Sequence, residues 1–224
     1  MKHEFITSED GSITLYVPAL NEHYHSVHGA IQESLHIFIQ AGVDYYNQQN
    51  ISILEAGFGT GLNAYLSLLK AQEQKNKILF HTFEKYPLSI EEICRLNYQH
   101  LLNPTDRPEL FDMLHACPWE EDIAITPYFT LHKHLADFNT VDFVPQFDIV
   151  FFDAFNPDVQ PHLWTEAVMA KFYQALKPGG ILVTYCVKGI VKQALRNTGF
   201  TLKRLPGPPG KREMLRATKP TDLL

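Results

Sequence analysis

The stretch Ile51-Ser-Ile-Leu-Glu-Ala-Gly-Phe-Gly-Thr-Gly-Leu-Asn63 turns a short apolar run into an acid, Glu55, followed by three alternating glycines, Gly57, Gly59 and Gly61. Glycines at this spacing let the backbone take positive φ and approach a ligand closely. Ile51, Ile53 and Leu54 suit a buried parallel strand, and Leu62 to Leu69 reads as the start of a helix. Leu62 stands where a dinucleotide fingerprint would carry its third glycine. An acid lip at Glu55 would repel a pyrophosphate and attract the α-ammonium of a methionine moiety, so the turn favours S-adenosylmethionine over NAD. Phe58, Thr60 and Asn63 join the glycines as expected cofactor contacts; a turn without a ligand is the competing reading.

A second acid follows at the right interval. Ile78 to Phe83 is a strand candidate ending at Glu84, whose two oxygens would accept the ribose hydroxyls at the tip of a second strand, with Lys85 beside it. The clearest buried strand, within Gln146 to Phe152, ends at Asp153, and Asp137 follows a weaker strand candidate at Tyr128 to His132. Right-handed crossovers put the C-terminal ends of such strands along one edge, where open α/β sheets bind ligands. Glu55, Glu84, Asp137 and Asp153 therefore converge on one crevice.

The elements that must position these residues alternate in type. Residues 1–50 read as an N-terminal extension, helical from Gln32 to about Tyr46, and residues 51–224 as the main domain. Ser89 to about Leu102 reads as a helix with Ser89 and Glu92 in capping-box spacing. Residues 103–127, with four prolines, form a loop-rich insertion. Trp164 to Leu176 is helical and stops at Lys177-Pro-Gly-Gly180, ahead of a strand from Ile181 to Cys186; Trp164 is expected to pack inward. A helix from Gly189 to Asn197 precedes two strands, Phe200 to Leu205 and Glu213 to Ala217, joined by Pro206-Gly-Pro-Pro-Gly210 as an antiparallel hairpin. The pattern predicts an α/β fold: a Rossmann-like, doubly wound sheet with an antiparallel C-terminal hairpin.

Composition narrows the class. A chain of 224 residues suits one α/β domain with a small appendage. It carries no apolar run of bilayer length and no signal-peptide core, so a cytoplasmic protein with no membrane partner is expected. Cys94, Cys117 and Cys186 are isolated and form no disulfide or zinc framework. His23, His25 and His28 lack a matching carboxylate or cysteine pattern; they are expected to rim or pack, and no metal is expected. The net charge of −6 is uneven: residues 176–224 hold ten Lys or Arg against two acids, giving +8, and the rest carries −14. A basic segment on an acidic protein can follow a phosphate backbone, although a solvated helix face and basic tail give the same count.

Four runs together resemble one family: Glu-Ala-Gly-Phe-Gly-Thr-Gly-Leu-Asn (55–63), Phe-Glu-Lys-Tyr-Pro (83–87), Asp-Ala-Phe-Asn-Pro (153–157) with Pro161 and Trp164, and Gly-Lys-Arg-Glu-Met (210–214). They look like the methyltransferase module of MnmC and its stand-alone, MnmD-like relatives, over roughly residues 20–217. The resemblance implies a class I S-adenosylmethionine-dependent methyltransferase fold with a seven-stranded sheet. It also implies tRNA as partner, with methylation of the exocyclic amine of 5-aminomethyl-uridine, usually 2-thiolated, at the wobble position. Asp137 would contact adenine, in a middle region, 103–145, that matches only loosely. The bifunctional relatives add an FAD-dependent oxidase; the chain leaves no room for one before Leu224, so no flavin is expected.

Such a transfer is an in-line displacement, in which the protein aligns the amine lone pair and excludes water. Asp153 is the expected catalytic residue. Its low intrinsic pKa suits it to orient the amine rather than act as a strong base. Lys188, Lys192, Lys211 and Arg212 are expected on tRNA phosphates and Phe155 on an everted base. A small-molecule amine methyltransferase, an aminopropyltransferase and a catalytically silent RNA-binding module are the alternatives. The sequence leaves the oligomeric state open.

Overall fold

The computed structural model describes residues 2–102, 107 and 109–221. Part of the expected proline-rich insertion (103–106 and 108) and Asp222 of the basic segment lie outside them.

An antiparallel meander opens the chain, with β1 (Glu4–Thr7), β2 (Ile13–Val17) and β3 (Glu22–His23). These strands carry little signal in the sequence because none exceeds five residues and their turn is tied by short polar groups. Asp10 accepts hydrogen bonds from the Ser8 and Ser12 hydroxyls. The expected helix follows as α1 (Ala30–Ser34), which runs on as a π-helix, Leu35–Asp44. It packs across the main sheet: Phe38 lies 5.0 Å from Phe151, and a Cβ on Gly42 would come within 3.2 Å of the Phe151 ring.

The main sheet is built from β4 (Asn50–Ala56), β5 (Lys77–Phe83), β6 (Asp122–Thr126), β7 (Phe129–His134), β8 (Phe147–Phe152), β9 (Leu176–Thr184), β10 (Thr201–Pro206) and β11 (Glu213–Thr218). Their order is β10-β11-β9-β8-β4-β5-β7-β6. From β4 the chain winds outward through β5 to β7, then returns to β8 on β4's other side, so the switch in strand order falls at β4. The hairpin β10–β11 is antiparallel and β11 also pairs antiparallel with β9, as expected. The eighth strand, β6, falls in the expected loop-rich insertion; it pairs antiparallel with β7 at the edge, with a register shift between Ala124 and Thr126.

Helices α2 (Leu62–Gln74), α3 (Ile90–Ile93), α4 (Tyr98–Leu102), α5 (Leu110–Ala116), α6 (Glu166–Ala175) and α7 (Gly189–Asn197) complete the layers. Two buried clusters result: Tyr65, Leu68, Phe80, Phe111 and Phe151 lie in one, and Phe152, Trp164, Met169, Phe172 and Leu182 in the other. Burial of such side chains contributes roughly 1.5–3 kcal/mol each.

Three boundaries differ from expectation. The helix expected from Ser89 to Leu102 keeps its capping box, but breaks into α3 and α4. The intervening Asn97 side chain accepts from the Ile13 N–H and donates to the Gly11 carbonyl, tying this segment to the meander. Trp164 belongs to a 3₁₀ turn, Pro161–Trp164, and is 3% exposed as core; α6 starts after Thr165, whose hydroxyl accepts from the Val168 N–H. Lys177-Pro-Gly-Gly180 lies inside β9, at a register shift against β8. Lys177 there pairs at 2.9 Å with the buried Asp148, which also accepts from the Ser52 N–H and hydroxyl.

Candidate active site

A crevice of about 1180 Å³ opens over the C-terminal ends of β4, β5 and β8, with residues 22–27 of the N-terminal segment forming another wall. That is more than the ~300–1,000 Å³ of an ordinary small-molecule pocket. The glycine turn forms part of its lining. Gly57, Gly59 and Gly61 have φ of 95°, 52° and 74°, the left-handed region that favours glycine. The Gly57 and Phe58 N–H groups both donate to the Phe83 carbonyl, at 3.0 and 3.1 Å, which fastens the turn to the end of β5. A Cβ on Gly57 would meet nothing within 4 Å, whereas one on Gly61 would come within 2.8 Å of His115 Nε2. The first glycine therefore borders open space and the third is needed for packing.

Glu84 reaches back to this turn. One carboxylate oxygen accepts from the Gly59 N–H at 3.0 Å and the other from the Tyr86 N–H at 2.8 Å. Each keeps acceptor capacity for a ligand hydroxyl. Asp137, across the crevice, accepts from the Asn139 N–H at 2.9 Å and pairs with Lys85 at 3.2 Å. Burial opposes its charge, but those hydrogen bonds outweigh it and hold Asp137 below the usual carboxylate range.

Glu55 does not form the accessible lip expected of it. It is 1% exposed beneath the turn, accepting from the Thr82 hydroxyl at 2.7 Å. Burial pushes its carboxyl well above the ordinary range, with the charges of Asp153 and Glu84 adding to the shift. Among the described residues its Oε1 and the Oδ1 of Asn63 are buried without a geometric hydrogen-bond partner. A protonated Glu55 can serve the Asn63 oxygen itself, and a buried polar atom left unsatisfied would cost about 1–3 kcal/mol.

Asp153 lies on the crevice wall and accepts from the Asn63 amide at 3.1 Å. Burial and then the charge of Glu33 push it up to about 7, against the lowering effects of Asn63 and Lys211. It is thus no ordinary acid held as a fixed anion: at neutral pH it is poised to take a proton.

Glu33 is buried in α1, accepts from the Ser26 N–H at 2.7 Å, and pairs with Lys211. Lys211 also stands 4.1 Å over the ring of Tyr185, whose hydroxyl donates to the Ala154 carbonyl at 3.0 Å. Tyr24 crosses the turn, where a Cβ on Gly59 would come within 3.3 Å of its ring, and meets Phe155 edge-on at 5.1 Å. His25 is held down to about 4, chiefly by burial, and its ring nitrogens face the Thr14 and Thr60 hydroxyls at 3.0 and 3.5 Å.

Of the residues singled out in the sequence, Gly57, Phe58, Gly59, Thr60, Asn63, Glu84, Lys85, Asp137, Asp153, Phe155 and Lys211 share the crevice wall. Glu55 and Gly61 lie beneath it. Lys188 turns to Asn156 and Asp158, Lys192 sits on α7, and Arg212 is exposed on the hairpin turn. His23 and His25 line the crevice, while His28 faces outward to Glu9. Glu33, Tyr24 and Tyr185 were missed; only the aromatic and histidine-rich run at 24–28 hinted that this segment belongs to the site.

The sheet order and the glycine–acid crevice define a class I methyltransferase architecture. A model of the S-adenosyl-L-methionine-dependent methyltransferases matches residues 107–220, and the chain belongs to that family. S-Adenosylmethionine is accordingly its cofactor. The crevice fits it: the carboxylate oxygens of Glu84 keep acceptor capacity for paired hydroxyls, and the open space beside Gly57 admits the methionine portion.

Among similar proteins is the tRNA 5-methylaminomethyl-2-thiouridine biosynthesis bifunctional protein MnmC of Leptospira interrogans, 30% identical over 205 residues, covering 86% of this chain and 32% of the relative. The protein of that name from Cupriavidus metallidurans is 28% identical over 229 residues, covering 94% of this chain and 33% of the relative. The crystal structure of MnmC2 from Aquifex aeolicus superposes with a TM-score of 0.79 at 27% identity, covering 99% of this chain and 70% of that one. The chain thus spans about a third of the length of the curated relatives it matches.

Proposed function

We propose that this chain transfers the methyl group of S-adenosylmethionine to the exocyclic amine of 5-aminomethyl-2-thiouridine at the wobble position of tRNA, in the cytoplasm. The observation that carries the reading is the crevice itself, large enough for a cofactor and a nucleobase together, with the glycine turn, Glu84 and Asp153 in its lining. The names of the similar MnmC proteins support the substrate. Residues 51–224 act as the methyltransferase domain, and residues 1–50 as an extension that covers the crevice.

When bound, the cofactor supplies an electrophilic methyl group on a positively charged sulfur. Glu84 would hold its ribose, the Gly57–Gly61 turn its methionine portion, and Asp137 with Lys85 the rim of its adenine pocket. A primary ammonium has no lone pair to attack with, so it must first give up a proton. Asp153 accepts that proton and keeps the resulting amine oriented, while Asn63 fixes the carboxylate at 3.1 Å. Tyr24 and Tyr185 wall off water on either side. Phe155 offers its ring to the everted base, and Arg212 with Lys192 lies outside the crevice for phosphates.

The test is incubation with labelled S-adenosylmethionine and tRNA lacking the final methyl group, followed by nucleoside analysis. Label in 5-methylaminomethyl-2-thiouridine supports the reading. Label absent from tRNA but present on free amines offered in parallel would replace it with a small-molecule methyltransferase.

A further inference from the structure

We propose that His81, His132 and His134 form a binding site for one divalent transition-metal ion of the zinc class, on the sheet face opposite α2. β5 and β7 run parallel with His81 level with His132 and Phe83 level with His134. Side chains alternate along a strand, so Phe80, Phe129 and Leu131 pack in the cluster that contains α2 while the three histidines point to the other face. One ring nitrogen from each lies within 4.8 Å of the other two, and His81 Nδ1 is 3.1 Å from His134 Nε2. Two nitrogens held by a tetrahedral zinc at ~2.0–2.1 Å stand roughly 3.3 Å apart, so this pair is already at ligand spacing; the three rings now stack on one another, and binding turns them so that their in-plane lone pairs converge on the ion.

The surroundings match those of histidine ligands. Asp122 accepts from His132 Nδ1 at 2.7 Å, and Glu120 lies 3.5 Å from His134 Nδ1. Such carboxylates fix ring orientation and leave Nε2 for a metal. Asp122 comes from β6, the antiparallel strand added at the sheet edge, which gives that strand a purpose. The His132 and His134 side chains are 17% and 22% exposed, enough for an ion to enter.

None of the three lines the crevice, so the ion has a structural task. The His134 carbonyl accepts from the Glu84 N–H at 2.9 Å, and its ring stacks on Phe83 at 4.3 Å. An ion here would hold together the ends of β5 and β7, which carry Glu84 and lead to Asp137. Without one, the three rings make a hydrogen-bonded stack.

The untagged, chelator-treated chain is titrated with Co²⁺ and with Zn²⁺, then passed through gel filtration for elemental analysis. The expected result is one retained ion per chain, visible cobalt bands of a nitrogen-ligated site, and a melting temperature raised by the metal. His132→Gln and His134→Gln lose the retained ion, and Asp122→Asn, an exposed position, binds about 10–100-fold more weakly. His100→Gln, exposed on α4, binds as the unaltered chain does. Metal-free variants are compared with the metal-free parent by circular dichroism, so that a lost site is distinguished from a lost fold. Failure of the parent to retain an ion, or retention unchanged in a folded His132→Gln chain, overturns the site.

Discussion

Lys211 on the C-terminal hairpin turn and Glu33 in α1 meet as an ion pair across 178 residues of sequence, and the two act on Asp153 with opposite sign. Glu33 raises the Asp153 carboxyl and Lys211 lowers it. Lys211, expected on tRNA phosphate, pairs with a buried acid and lines the crevice wall. The two variants should therefore shift the pH–rate profile in opposite directions. Lys211→Ala leaves Glu33 uncompensated and moves the rising limb of methylation to higher pH; Glu33→Gln moves it to lower pH. Each shift is expected on the order of one pH unit. Profiles that move together, or stay still, would remove the pair from control of Asp153.

In the proposed site Glu84 is the ribose ligand. Replacing it with Ala removes charge-assisted hydrogen bonds of about 1.5–3 kcal/mol, so S-adenosylmethionine should bind at least ~10-fold more weakly by calorimetric titration. Glu84→Gln, which retains an acceptor for the Gly59 N–H, tests whether the loss comes from the ligand contact rather than from a loosened turn. Unchanged affinity in the Ala variant defeats the assignment.

Arg212 is the exposed cation of the hairpin turn. Arg212→Ala should weaken tRNA binding and reduce its salt slope by about 1, because one fewer phosphate contact releases fewer counterions. Cofactor affinity should not change. An unaltered slope would take Arg212 off the tRNA surface.

Much of this was legible in the sequence where local chemistry decides structure. The glycine turn, the helix over Gly189–Asn197, the hairpin around Pro206–Gly210 and the acids at the strand ends all appear where residue types demanded them. What stayed hidden depends on register and long-range packing. His81 and His132 look unrelated until β5 and β7 are aligned. Glu33 reads as a polar helix residue until Lys211 arrives from the hairpin. The Asp153 carboxyl depends on long-range packing in the same way: an intrinsic pKa near ~4 says nothing of the burial and neighbouring charge that push it up.

Burial of Asp153 also has a cost in stability. Its folded pKa of about 7 lies above the unfolded value, so the folded chain binds the extra proton and stability falls as pH rises through the interval between them. Asp153→Asn should melt higher than the parent at pH 8, by about 2–4 °C per kcal/mol of relieved charge burial, and the gap should close toward pH 4. Thermal denaturation at the two pH values checks this; a gap independent of pH contradicts the shifted pKa.

The most direct measurement is the single-turnover methylation rate of folded Asp153→Asn beside the parent chain, from pH 6 to 9, with saturating S-adenosylmethionine and tRNA bearing the unmethylated amine. Both substrates should still bind the variant. The parent's rate should climb with pH along a limb set by Asp153, while the variant loses that limb and runs on the order of 100-fold or more slower. A variant that methylates at the parent's rate, with the same pH profile, would contradict Asp153 as the proton acceptor.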